Sequence, residues 1–228
     1  MKNLLASSLA IIIYLTASGQ SSKKFAHPLT STKDIEGSGI QMEVASFKGK
    51  KAVRITTGDD NKDYRKSMVA KILNTDFHNG VIEVEVASQP EDNAPEGSRG
   101  FAGVTFRMQD DFEHYECIYI RPTNGRADDQ LRRNHSTQYI SAPDYPWYRL
   151  RKENPGVYES YVDLVPGEWT KLRIEVNDNK AKFFVNDSSQ PVLIINDLKY
   201  GADQKGFIGL WIGSGTEAYF SNLKITYN

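Results

Sequence analysis

Apolar and polar residues alternate with a period of two along much of the chain. Val81-Ile82-Glu83-Val84-Glu85-Val86 is the clearest case: Ile82, Val84 and Val86 fall on one side and two glutamates on the other. That is the pattern of a strand with one face in a core and one in water. Similar short runs predict strands over 40–45, 51–57, 67–73, 101–108, 115–121, 160–164, 169–176, 181–185, 192–195, 206–212 and 218–227. Gly49 and Gly58 split the first of them, Gln109-Asp110-Asp111 splits a later pair, and Asn177-Asp178-Asn179 reads as a hairpin turn. Asn and Asp suit such turns because they tolerate positive φ. No segment keeps an apolar period near 3.6 over three turns. Many short strands with turn signals at this spacing predict an all-β fold, an antiparallel two-sheet sandwich.

The alternation also assigns faces. Ala102, Val104, Phe106 and Met108 point one way, and Gly103, Thr105 and Arg107 the other. Ile118 and Ile120 read as core, with Tyr119 and Arg121 opposite. Ile208, Leu210 and Ile212 read as core, with Phe207, Gly209 and Trp211 opposite. If these strands are neighbours, one outer face collects Thr105, Arg107, Tyr119, Arg121 and Trp211. Outward side chains on a curved sheet face are ligand candidates, and a tryptophan there is unusual.

Composition narrows the function classes. Lys+Arg 28 against Asp+Glu 29 gives a formal net charge of −1, which excludes a general nucleic-acid binder. At 228 residues the chain can bury roughly 70% of its unfolded surface and needs no disulfide to fold, in keeping with its single cysteine, Cys117. The N-terminus reads as a signal peptide over residues 1–19. Lys2 supplies the positive end, Leu4 to Leu15 an apolar run, and Ala17 and Gly19 the small residues before a cut. Gln20 stands where a lipoprotein would carry cysteine. The expectation is a periplasmic or extracellular protein without a membrane span after cleavage, folded as one domain over 25–228.

The densest chemical signal is the connection at about 121–161. Six of the eleven arginines fall there: Arg121, Arg126, Arg132, Arg133, Arg149 and Arg151. Trp147 joins them, with Tyr139, Tyr145, Tyr148, Tyr158 and Tyr161. A connection of roughly forty residues in a sandwich is uncommon and usually functional. The planar fork of arginine meets carboxylates, sulfates or vicinal hydroxyls with paired hydrogen bonds, and aromatic faces pack on sugar C–H faces. The expected carbohydrate-binding set is Arg107, Tyr119, Arg121, Arg133, Asn134, Gln138, Tyr139, Trp147, Arg149 and Trp211. The plainer alternative is an ordered loop whose arginines pair with Asp128, Asp129, Asp144 and Glu153.

Several motifs point to a family. Phe77-His78-Asn79-Gly80 leads into the strand at 81. Gly100-Phe101-Ala102-Gly103-Val104-Thr105-Phe106-Arg107 and Tyr115-Glu116 follow. Trp169-Thr170-Lys171-Leu172-Arg173 precedes a hairpin ending Phe184-Val185-Asn186, and Gly206-Phe207-Ile208-Gly209-Leu210-Trp211 leads to Phe220-Ser221-Asn222-Leu223-Lys224-Ile225. Over 76–228 this order resembles the concanavalin A-like lectin/glucanase jelly rolls. Within them it is most similar to the bacterial DUF1080 group, also called the 3-keto-disaccharide hydrolase domain. The resemblance implies a jelly roll that binds or cleaves glycans on its concave face.

The residues leave the chemistry open. Direct displacement needs two carboxylates about 5–10 Å apart. Glu116, Glu217 and Glu159 are the candidates, and no laminarinase-type E-x-D-x-x-E occurs. Elimination next to a ketone needs a base, His135 or Tyr139, and a cation, Arg121 or Arg133. Glu116, His135 and Glu217 are the expected catalytic residues. A non-catalytic lectin-like module built on Trp147 and Trp211 is the competing reading, and a structural protein of the cell envelope is a third. No metal is required. Four scattered histidines do not make a zinc site. Asp59, Asn61 and Asp63 begin like a calcium loop, but Tyr64 and Ala70 break the EF-hand pattern, which leaves calcium only as a structural ion in a loop.

Overall fold

The computed structural model describes residues 23–58 and 68–228. The segment 1–19 read as a signal peptide and the Asp59–Asp63 run lie outside the described residues. Among the described residues fifteen strands form two antiparallel sheets, the sandwich that the alternation predicts and the jelly roll that the resemblance implies.

The eight-stranded sheet is built from β1 (Lys24–His27), β3 (Ile40–Phe47), β4 (Lys50–Thr57), β6 (Gly80–Pro90), β11 (Thr170–Asn177), β12 (Lys180–Val185), β13 (Leu193–Ile195) and β15 (Thr216–Tyr227). Its order is β13-β12-β11-β6-β15-β4-β3, with β1 also on β15. The seven-stranded sheet holds β2 (Ile35–Ser38), β5 (Val69–Phe77), β7 (Ala102–Met108), β8 (Tyr115–Ile120), β9 (Thr137–Ala142), β10 (Glu159–Ser160) and β14 (Gly206–Ile212), in the order β10-β9-β8-β7-β14-β5-β2. Ile82, Val84, Val86, Ile174 and Phe220 from the first sheet share the core with Val104, Phe106, Ile118, Ile208 and Leu210 from the second.

Two features depart from the sequence pattern. The segment 121–161 is not a long irregular loop. After a short 3-10 turn at Pro122–Asn124 it forms α1 (Gln130–Asn134), strand β9, α2 (Trp147–Glu153) and strand β10. It therefore extends the sheet by two strands while α2 packs against β9. The strand expected over 160–164 shrinks to β10, and the chain runs irregular from Tyr161. The second departure is a bulge in β7. Phe207 pairs with Met108, but Gly209 pairs with Thr105, so β7 carries one residue more than β14 between these pairs. Arg107 sits in that bulge with φ of 54°, the left-handed region.

Candidate functional site

The site grows from Gly103. On β7 this residue pairs with Tyr119 of β8 on one side and Trp211 of β14 on the other. A Cβ at position 103 would lie 2.5 Å from the Tyr119 Cα. The missing side chain lets the Tyr119 and Trp211 rings meet across β7, with centroids 4.7 Å apart. Phe101 stands edge-on to Tyr119 at 6.2 Å. The Arg121 guanidinium caps this row, 5.1 Å from the Tyr119 ring and 5.9 Å from Phe101.

Arg121 is buried and nearly saturated. One terminal nitrogen donates to Glu159 Oε1 at 3.1 Å and the His135 carbonyl at 3.0 Å. The other donates to Tyr119 Oη and Gln138 Oε1, both at 3.0 Å. Glu159 reaches this position because β10 pairs it with Gln138. From α2, Arg151 donates through Nε to Glu159 Oε2 at 2.9 Å and through a second nitrogen to Oε1. His135 Nε2 lies 3.5 Å from Glu159 Oε2. Arg151 also lies over the Trp147 ring at 4.7 Å, and Trp147 keeps 43% of its surface exposed.

These groups border a cleft of about 380 Å³, lined by Phe101, Arg121, His135, Trp147 and Arg151 together with Gly97, Arg99, Asn124, Asp129, Leu131 and Arg132. Burial pushes the Glu159 carboxyl up, but the Arg151 hydrogen bonds and the charges of Arg121 and Arg151 outweigh it, so the group sits below the usual carboxylate range. Burial lowers His135, and Arg151 and Arg121 push the same way against the pull of Glu159, so its imidazole sits below the ordinary histidine value. The surroundings thus favour the neutral form of the imidazole and the ionised form of the carboxylate beside it.

Of the residues expected from sequence, Tyr119, Arg121, His135, Gln138, Trp147 and Trp211 belong to this cleft or the row beneath it. Others stand elsewhere. Arg107 is buried, and its guanidinium donates to the carbonyls of His78 (3.0 Å), Gly201 (2.7 Å) and Asp178 (2.7 Å) and to Asn79 Oδ1 (3.1 Å). The bulge turns it out of the alternation and into a clamp between loops. Glu116 pairs with Phe106 and Ser141 and shares the inner face with Ile118. It accepts from Tyr139 Oη at 2.6 Å and from the Tyr200 amide at 3.0 Å, while Tyr139 Oη accepts from the Lys199 amide at 2.8 Å. Burial pushes the Glu116 carboxyl up and the Tyr139 hydroxyl well up. Both tie the 199–200 turn to the sheet rather than face the cleft.

Glu217 lies on the other sheet, accepting from Arg54 Nε at 2.7 Å, Tyr219 Oη at 2.9 Å and Gln89 at 3.1 Å. Arg133 donates to Tyr161 Oη at 2.7 Å, Asn134 accepts from Gln130 at 2.7 Å, and Arg149 pairs with Glu153 at 2.9 Å. The cleft residues not among the expected set include Gly97, Arg99, Phe101, Asn124 and Leu131. Phe101 and Arg99 flank Gly100, and that Arg-Gly-Phe step into a strand is the one local signal for them. Among the described residues no three His, Cys, Asp or Glu side chains are placed to hold a metal ion. No helix of the described residues is long and apolar enough to cross a membrane.

The structure is a two-sheet jelly roll with an arginine-rich cleft bordered by Phe101 and Trp147 at the end of one sheet. The chain belongs to the 3-keto-alpha-glucoside-1,2-lyase-like domain family, which matches residues 30–226. That match begins well before the segment whose motifs carry the DUF1080 resemblance, so β2 to β5 are part of the family's domain. No curated protein matches the chain. Among solved structures it is similar to the carbohydrate-binding module CBM66 from Bacillus subtilis, at 13% identity and a TM-score of 0.53 over 83% of this chain and 97% of that one. It is also similar to a Bacillus subtilis protein with a galectin-like fold, at 11% identity and a TM-score of 0.56 over 90% of this chain and 97% of that one. At these identities the likeness is one of fold.

Proposed function

We propose that the chain is exported to the periplasm or beyond, binds a glycan in the cleft between Phe101 and Trp147, and cleaves a 3-keto-glycoside by elimination. The observation that carries the reading is the His135–Glu159 pair: an imidazole 3.5 Å from a carboxylate that two arginines hold, at the edge of a cleft bordered by Phe101 and Trp147. The family description supports the same reaction class.

In this mechanism the His135 imidazole takes the proton from C2, next to the C3 ketone. The C–H electron pair forms the enolate, whose negative oxygen lies in the field of Arg151 and Arg121. The enolate collapses, a C1=C2 double bond forms, the C1–O bond breaks, and the imidazolium returns its proton to the leaving oxygen. Glu159 orients the ring and stabilises the imidazolium. Displacement by two carboxylates has less support. Glu159 is held ionised and is a poor acid, while Asp129 Oδ1 accepts the Arg132 amide at 2.8 Å.

A binding-only module is the second reading, favoured by the exposed Trp147–Tyr148 pair, edge-to-face at 5.8 Å. The two are separated by incubation with methyl 3-keto-α-glucoside, following enone absorbance and, separately, binding. The expected kcat/KM rises with pH and levels off, because the base works only when neutral. Its limb falls below the ordinary imidazole value of about 6.5, since the site disfavours the protonated form. His135→Ala is expected to lower kcat by about a hundredfold or more while binding persists. Binding without turnover in the wild type selects the module, an unchanged rate in His135→Ala removes His135 as the base, and failure to bind any glycan leaves the structural role.

A further inference from the structure

Building on the carbohydrate reading, we propose that the cleft selects a glycan bearing an anionic substituent, a carboxylate or a sulfate, held between Arg99 and Arg132.

The cleft has four guanidiniums and they are not equivalent. Arg121 and Arg151 are committed to Glu159. Among the described residues, Arg99 donates only to the neighbouring Ser98 carbonyl, at 3.0 Å. Arg132 donates to Asn124 Oδ1 at 2.9 Å and to the Thr123 carbonyl and Oγ1 at 3.3 and 3.0 Å, all neutral acceptors. Among the described residues, no carboxylate comes within ion-pair distance of either side chain. Asp129 also lines the cleft, and its Oδ1 is taken by the backbone amide of Arg132. Four cations therefore share the cleft with two carboxylates.

Arg99 and Arg132 also face each other electrostatically. Burial lowers the Arg99 pKa first, and the charges of Arg132 and Arg121 lower it further. Glu96 pulls the other way but forms no ion pair with Arg99, so the two like charges at one cleft wall still repel, and an anion between them relieves that repulsion. Both keep hydrogen-bond capacity for one. Arg99 leaves Nε and one terminal nitrogen unbonded among the described residues, and Arg132 leaves one terminal nitrogen. The guanidinium fork matches a carboxylate or sulfate with parallel charge-assisted bonds. Leu131, 67% exposed on the same cleft, and Phe101 supply apolar surface for a ring C–H face. A neutral sugar would leave the two charges uncompensated.

The test compares affinities of the full chain for methyl β-glucoside, methyl β-glucuronide and methyl β-glucoside 6-sulfate by calorimetry. At least one anionic glycoside is expected to bind about tenfold or more tightly than the neutral one. The anionic arm that wins names the substituent, and its advantage shrinks as salt is raised. In Arg99→Gln/Arg132→Gln the ratio of anionic to neutral affinity falls to within about twofold. Each single variant loses part of the preference, which keeps the test in force should the double variant not fold. Equal affinity for all three, or a preference that survives removal of both arginines, overturns the inference and leaves the carbohydrate reading standing. Failure of all three to bind, with the folded state verified by circular dichroism, overturns the inference, and failure of methyl 3-keto-α-glucoside to bind as well overturns the carbohydrate reading.

Discussion

Arg107 in β7 and Arg121 just past β8 read, by strict alternation, as outward side chains of the same sheet face. The backbone separates them. Arg121 follows the regular pairing of β8 and arrives beside Tyr119 and Gln138. Arg107 takes φ of 54° in a bulge, and its side chain swings to the loops, where four acceptors from three segments close around it. A buried arginine in this role stabilises turns, and a non-glycine residue in the left-handed region persists only where such contacts hold it. Arg107→Met strips the His78, Asp178 and Gly201 carbonyls of their partner. The expected loss is about 2–4 kcal/mol of stability in urea unfolding, with glycan affinity unchanged. Wild-type stability combined with lost binding would return Arg107 to the binding set.

At the level of elements, β6 and β11 were legible because each has one wet and one dry face, while β7 and β8, buried throughout, were legible as short apolar runs between turn signals. The segment 121–161 was not, for a reason visible in β9. Its inward positions are Thr137, Tyr139 and Ser141 and its outward ones Gln138 and Ile140, so both faces mix polar and apolar residues, and all five are buried. The period-2 signal vanishes when both faces are covered. The helices α1 and α2 span five and seven residues, too short to display a helical period. Gly103 carries the opposite lesson, since one atom decides how three strands present the aromatic row. Gly103→Ala places a methyl group against the Tyr119 backbone. The variant should lose about 1–3 kcal/mol of stability and shift the Trp211 emission as the Tyr119 stack opens. Unchanged stability and emission would mean that β7 and β8 yield without cost.

On the scale of the molecule, the cleft is a product of topology. Arg99 and Phe101 come from the connection between β6 and β7, Arg121 from the end of β8, His135 from the end of α1, Arg151 from α2 and Glu159 from β10. The composition of the 121–161 segment pointed to a region that lines this cleft, with His135, Trp147 and Arg121 among its residues. The convergence of Glu159 with them was not legible, because it depends on β10 pairing with β9. Nor could sequence place Glu217 in a separate ion pair with Arg54 on the eight-stranded sheet, near a smaller surface hollow formed by Gln41, Met42 and Glu43. The two sheets thus offer two different surfaces to a sugar, and the account assigns it to one. The most direct test is a backbone and indole NMR titration of the ¹⁵N-labelled protein with the glycoside that binds best. The account predicts shift changes centred on Phe101, His135 and Trp147, with Arg54 and Glu217 unmoved. Changes centred on Arg54, Glu43 and Glu217 instead would contradict it.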